Sequence, residues 1–320
     1  MNRIISNLDI AVDELFKGHL LAIPTETVYG LAADATNSEA VKSVFSTKSR
    51  PINHPLIMHI GEGWEIEQWV SQVPHYAKKL MELFWPGPLT LIFDLNPDSK
   101  ISEFVTGGQK TIAIRCPDHP LTLKLLDQFG KPMVAPSANP FGKVSPTNPE
   151  HVLKDFPNHS FYILDGGRCE LGIESTILDA TQNERCQIVR EGLLNVDHLS
   201  EFKHYLVPFR NTKRFRAPGH LNTHYQPQKP AFYINKINTI NSIVGLYPNC
   251  FLLHFSTLDC SINGLHYQFS SSVKDSAYEF YHSLRIADES KADTIILELP
   301  PELPEWKALR DKILKASQEL

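Results

Sequence analysis

The sequence holds no apolar run long enough to cross a bilayer, no Cys-x-x-Cys pair, no His-Glu-x-x-His, no Gly-x-Gly-x-x-Gly and no Gly-x-Ser-x-Gly. Each absence closes a route. A membrane-spanning helix is not expected. The scattered Cys116, Cys169, Cys186, Cys250 and Cys260 read as reduced thiols rather than a disulfide framework or a zinc site. The 14 histidines lack ligand spacing, so a dedicated transition-metal site is not expected. The stretch Met1–Lys17 is broken by Asp9, Asp13 and Glu14 and has the periodicity of an amphipathic helix rather than a signal peptide, which predicts a cytoplasmic protein. Positive charge is scarce where a nucleic-acid binder would need it. Residues 1–210 hold 19 Lys+Arg against 25 Asp+Glu, and the remainder 12 against 11, so tight nucleic-acid binding is not expected.

What is present is an ordinary globular composition, 42% hydrophobic and 21% charged, in a chain of 320 residues, long enough for two cores. Apolar periodicity predicts helices at 7–17, 38–47, 65–70, 75–84, 120–129, 149–156 and 196–202. Strands are predicted at 19–23, 56–60, 89–95, 111–115, 132–135, 161–165, 175–179 and 187–190. Their irregular alternation indicates an α/β or α+β domain with a large twisted mixed sheet over residues 1–203. Periodicity fails over 204–230, where prolines crowd beside Arg210, Lys213, Arg214 and Arg216, as in a linker. Strand patterns at 231–234, 250–255 and 294–299 then alternate with helical ones at 273–289 and 304–317, predicting a small α/β, Rossmann-like domain over 231–320. Without the glycine fingerprint, nucleotide binding cannot be assigned to it from sequence.

The stretch Pro24–Asp34, P-T-E-T-V-Y-G-L-A-A-D, follows the apolar run His19–Ile23. Proline closes the strand and the chain leaves the sheet carrying hydroxyls, a carboxylate and a phenol. Thr25, Glu26, Thr27 and Tyr29 can hydrogen-bond a small polar ligand, and Gly30 permits close approach; an ordinary turn with a buried tyrosine is the alternative. In K-S-R-P, Lys48 and Arg50 suit either a solvated helix end or a phosphate clamp. His59 lies on a predicted strand and Arg115 ends another, where a buried guanidinium calls for an anionic partner. Ser137 and Asn139 in P-S-A-N favour a turn; no nucleophile elbow surrounds them, so a serine-hydrolase role is set aside.

Five stretches together resemble the YrdC-like threonylcarbamoyl-AMP synthases: Pro24–Asp34, Lys48–Ile60, Gly107–Pro117, Ala135–Thr147 and Glu174–Asp179. They fall in that family's order over the first 200 residues or so, and the rest of the chain resembles the extra domain of the long, two-domain form. The resemblance implies a YrdC-like fold and an enzyme that joins L-threonine, bicarbonate and ATP, with Mg²⁺, into threonylcarbamoyl-AMP and pyrophosphate. The product would pass to a tRNA threonylcarbamoyl-transfer complex. It places Thr27, His59, Arg115, Ala135 and Ser175 on threonine. Lys48 and Arg50, as catalytic clamp, join His54, Thr111, Ser137, Asn139, Ser145 and Arg190 on ATP, with Ser137 and Asn139 also near its Mg²⁺. The family often has Asn at the position of His54 and Pro at that of Glu191. In A-P-G-H-L-N-T-H-Y-Q-P, the residues Pro218, Gly219, His224 and Tyr225 match the long form's linker and imply a lid. Two rivals share the fold: an RNA-binding module, which the acidic charge disfavours, and a carbamoyl-adenylate-forming carbamoyltransferase, whose accompanying cysteine pairs are missing.

Overall fold

A computed structural model of the chain describes residues 3–207, 224–235, 247–257 and 265–320. The chain divides into two compact units, one of Met1–Phe141, Pro146–Glu170 and Glu174–His220, the other of Gly142–Ser145, Leu171–Ile173 and Leu221–Leu320.

The first unit is built on a mixed sheet. Among the described residues its strands are β1 (Ile4–Ile5), β2 (Leu21–Ile23), β3 (Gly30–Asp34), β4 (Ile57–His59), β5 (Leu89–Asp94), β6 (Thr111–Arg115), β7 (Met133–Val134), β8 (Tyr162–Leu164), β9 (Thr176–Asp179) and β10 (Gln187–Arg190). They are ordered β1-β8-β2-β3-β7-β4-β6-β5-β9-β10. The pair β4/β6 is parallel and places His59 opposite Arg115. Both faces are buried. Leu21, Ile23 and Ala32 pack with Leu125, Leu126 and Phe129 on one side, while Ala22, Leu31 and Ala33 pack with Val41, Val44 and Phe45 on the other. Helices α1 (Leu8–Phe16) and α2 (Ser38–Lys48) begin where Asn7 and Asn37 accept hydrogen bonds from the first free backbone N–H groups.

Three sequence readings are corrected. Residues Gly30–Asp34 do not stay outside the sheet but return as β3, antiparallel to β2 with Ile23 opposite Gly30. All five are buried, so the polar alternation that marks a half-exposed strand is absent. Residues 65–70 form no helix: 67–69 make a turn, and Val70 bridges to Leu95. Their Ile66, Trp69 and Val70 have helical spacing and are buried, but six residues are too few to carry the cost of helix nucleation. Residues 196–202 yield only a short 3₁₀ turn, Ser200–Phe202.

The second unit carries a parallel sheet of β11 (Ala231–Ile234), β12 (Cys250–His254), β13 (Leu265–Gln268), β14 (Thr294–Glu298) and β15 (Gln318–Glu319), ordered β13-β12-β14-β11-β15. The exposed β13 and the two-residue β15 were too short or too polar to read in advance. Helix Val273–Glu289 is capped by the Ser272 side chain, which accepts from the Asp275 N–H. Its Arg285 donates to the carbonyls of Val144 and Ser145. At Gly172 φ is +77°, and a Cβ would lie 2.5 Å from the Ala277 carbonyl oxygen. Among the described residues, no helix is long and apolar enough to cross a membrane.

Candidate functional site

The loop after β2 is organised by one hydroxyl. Thr25 Oγ1 donates to the Val28 carbonyl at 2.6 Å and accepts from the backbone N–H groups of Thr27 and Val28. The Thr27 hydroxyl lies 2.8 Å from it, and either oxygen can be the donor. Thr27 Oγ1 accepts from Arg115 Nη1 at 2.9 Å, because a guanidinium can only donate. Arg115, the last residue of β6, also places Nη2 2.6 Å from Glu26 Oε1 and donates through Nε to the Gly87 carbonyl at 3.3 Å. Both members of the ion pair are about 95% buried, with side-chain exposures of 5% and 4%. Neither Glu26 oxygen accepts a hydrogen bond of good geometry. Beside this pair, burial and then the Arg115 charge push the His59 imidazole down to about 3, so it is neutral. Tyr29 does not face a ligand: its hydroxyl donates to the Gly167 carbonyl at 2.9 Å and accepts from the Gly166 N–H at 3.0 Å.

A second set of groups is cationic. Helix α2 ends at Ser49, held in the left-handed region at φ 53°, and Pro51 prevents its continuation. Arg50 leaves this turn to donate to the Pro55 carbonyl at 2.9 Å, with its guanidinium 5.5 Å from the Phe141 ring centre. Burial and then the Arg190 charge lower it to about 10. Arg190 donates from Nε to the Ser175 carbonyl at 3.0 Å and from Nη2 to the Ser175 hydroxyl at 2.9 Å. The same hydroxyl lies 2.7 Å from Thr90 Oγ1.

Lys48 is engaged differently from the sequence expectation. Fully enclosed, it donates from Nζ to the backbone carbonyls of Ser137 and Asn139. Burial, and then Arg50, hold its ammonium well below the usual lysine range. The Lys48 amine thus meets the P-S-A-N turn, and the Arg50 guanidinium feels the Arg190 charge.

The remaining sites fall in several places. Ala135 meets the start of β3: a Cβ on Gly30 would lie 2.9 Å from the Ala135 Cβ. His54 packs edge-on against Phe141 at 5.3 Å, and its carbonyl accepts from Arg50. Thr111 opens β6 opposite Asp94. Ser145 groups with the second unit, where His224 and Tyr225 also lie: the His224 N–H donates to the Lys315 carbonyl at 2.9 Å, and the Tyr225 ring packs 5.5 Å from that of Tyr281. Pro218 and Gly219 lie outside the described residues. Thr90 was missed, although a lone hydroxyl inside the apolar strand L-T-L-I-F was the available signal. Among the described residues, no cluster of three His, Cys, Asp or Glu side chains could hold a metal.

A family model described as "Telomere recombination" matches residues 13–192, and one described as "Threonylcarbamoyl-AMP synthase, C-terminal domain" matches 186–318. The threonylcarbamoyl-AMP synthase of Bacillus subtilis is 35% identical over 318 residues, covering 95% of this chain and 90% of that one. The chain belongs to the threonylcarbamoyl-AMP synthase family. The Pyrococcus abyssi threonylcarbamoyl-AMP synthase is 39% identical over 223 residues, 68% of this chain and 65% of its own length. A crystal structure of P. abyssi Sua5 complexed with L-threonine matches with a TM-score of 0.88 at 30% identity, covering 99% of this chain and 97% of that one. The activity is accordingly that of a nucleotidyltransferase, formation of threonylcarbamoyl-AMP for tRNA N6-threonylcarbamoyladenosine.

Proposed function

We propose that the chain binds L-threonine at Thr27, His59, Arg115, Ala135 and Ser175, and ATP at Arg50, His54, Thr111, Ser137, Asn139, Ser145 and Arg190. The observation that carries the reading is the buried Arg115, aligned by the Thr27 hydroxyl beside a neutral imidazole. A guanidinium so placed suits the carboxylate of a small amino acid through paired N–H···O bonds. The mutually repelling Arg50 and Arg190 suit phosphates. Lys48 enters as a positioning residue that sets the Ser137–Asn139 turn.

The reaction needs no protein nucleophile. The threonine amine and bicarbonate condense to a carbamate with loss of water. A carbamate oxygen then bonds to the α-phosphorus of ATP as the bond to the β-phosphate oxygen breaks and pyrophosphate leaves. The protein contributes position and fixed charge. Mg²⁺ accompanying ATP would offset phosphate charge, and Ser137 and Asn139 would hold it as neutral oxygen donors beside the phosphates.

Pyrophosphate release requiring threonine, bicarbonate and Mg²⁺ together tests the assignment. Equal release with threonine omitted would overturn it. Passage of the product to a tRNA-transfer complex and a cytoplasmic setting belong to the same proposal, as does a lid formed by Pro218, Gly219, His224 and Tyr225. Truncation before Arg210 should cut turnover sharply; full activity in the truncated chain would reject the lid.

A further inference from the structure

The second unit encloses a cleft of about 700 Å³ at the carboxyl ends of its parallel strands. Asn235 follows β11, Phe255 and Ser256 follow β12, Ser270 and Ser271 lie just beyond β13, and Glu298 and Leu299 close β14. Within the order β13-β12-β14-β11-β15, the chain leaves β12 towards β13 on one side and leaves β14 towards β15 on the other. Adjacent β12 and β14 thus diverge, and the crevice outside the carboxyl ends of two such strands is where open α/β sheets receive ligands. A cleft of this size matches an ordinary small-molecule site. Strand order supplies the crevice that the missing glycine fingerprint could not announce.

The lining combines an acceptor, an apolar wall, a guanidinium and serine hydroxyls, with Glu302 as a second carboxylate. Glu298, 4% exposed, accepts through Oε2 from the N–H groups of Phe255 and Ser256 at 2.7 and 2.8 Å, and through Oε1 from the Ser256 hydroxyl at 2.5 Å. This shapes the β12 turn and leaves Oε1 with a lone pair for a ligand hydroxyl. Phe255 and Trp306, in edge-to-face contact at 5.3 Å, form an apolar wall with Leu299. Arg310 supplies the positive charge. Its Nη1 donates to the Pro300 carbonyl at 2.6 Å, which fixes the guanidinium without neutralising it, and no carboxylate among the described residues pairs with it. The serine hydroxyls of Ser270 and Ser271 line the same cleft.

We infer that this cleft binds a nucleoside phosphate: phosphate on Arg310 and the serine hydroxyls, ribose hydroxyls on Glu298, and the base against the Phe255–Trp306 wall. An inorganic anion would leave the acceptor and the apolar wall unused, and a neutral nucleoside would leave the guanidinium unanswered. None of the lining residues is among the ATP residues proposed above, and the inference does not depend on them.

The chain has four tryptophans, Trp64, Trp69, Trp85 and Trp306, of which only Trp306 lies in the second unit. Full-length protein labelled with 5-fluorotryptophan, with Trp306→Phe to assign the signal, can be titrated with AMP, adenosine, pyrophosphate and inorganic phosphate. The Trp306 resonance should move saturably with AMP, and less tightly with the other three. Arg310→Ala should weaken the AMP response about 10- to 100-fold, as expected for loss of a charge-assisted contact. The exposed Ser271→Glu, which sets a carboxylate at the mouth, should weaken it in the same direction without touching the core. Both variants should keep the wild-type rate of pyrophosphate release. An unmoved Trp306 signal, a response equal in wild type and both variants, or tighter binding of pyrophosphate than of AMP would each overturn the inference. The readout needs no turnover, so failure of the catalytic proposal would leave it intact.

Discussion

Arg115 Nη2 stands 2.6 Å from Glu26 Oε1, and among the described residues no other ion pair or hydrogen bond shares the charge of the Glu26 carboxylate. Arg115→Ala should therefore weaken threonine binding far more than ATP binding, by about 2–5 kcal/mol. The bare Glu26 carboxylate left behind should also destabilise the fold by about 3–5 kcal/mol. The double variant Glu26→Gln/Arg115→Ala separates the two effects: stability should recover in denaturant titration while threonine affinity, read by calorimetry, does not. Recovery of both would remove Arg115 from the substrate.

Arg50→Ala should show the opposite preference. ATP affinity should fall about 10- to 100-fold, the usual scale for a charge-assisted contact, with threonine affinity little changed. Calorimetry with each ligand alone decides it, and a loss confined to threonine would exchange the two subsites.

His59 sets a pH dependence. Its pKa is about 3 in the folded chain against 6.5 ordinarily, so between those values the unfolded chain binds more protons and stability rises with pH. The contribution is fully present above 6.5 and lost as pH falls towards 3. Between pH 7 and pH 4 this amounts to about 3 kcal/mol. Urea denaturation at the two pH values should show a larger loss for the wild type than for His59→Gln; equal losses would mean that the imidazole titrates normally.

Gly30→Ala would set a Cβ 2.9 Å from the Ala135 Cβ and 3.2 Å from the Ala135 carbonyl oxygen. Forcing β3 away from that segment should cost about 1–3 kcal/mol. Adding Ala135→Gly removes the first contact but not the second, so the double variant should recover part of the loss in urea denaturation. No recovery at all would place the cost elsewhere.

What the sequence made legible was chemistry attached to local pattern. Proline after an apolar run marked the loop at Thr25–Thr27, and an arginine closing an apolar strand marked Arg115. Contacts between distant segments left no such trace. The Lys48 amine meets carbonyls 89 and 91 residues away, a contact that a lysine at a helix end does not announce. Ser145 reads as one motif with Ser137 and Asn139, yet it groups with the other unit. Strand β3 was hidden because burial on both faces erases the alternation by which a strand is recognised.

Arg190 grips Ser175 at both its carbonyl and its hydroxyl, and its charge is felt at Arg50. In the proposed assignment this single side chain stands between two binding events. An anion that draws on Arg190 alters how firmly the Ser175 hydroxyl, and Thr90 behind it, are held for the amino acid. Cooperativity of this kind runs both ways: whatever factor the nucleotide imposes on threonine affinity, threonine returns to the nucleotide.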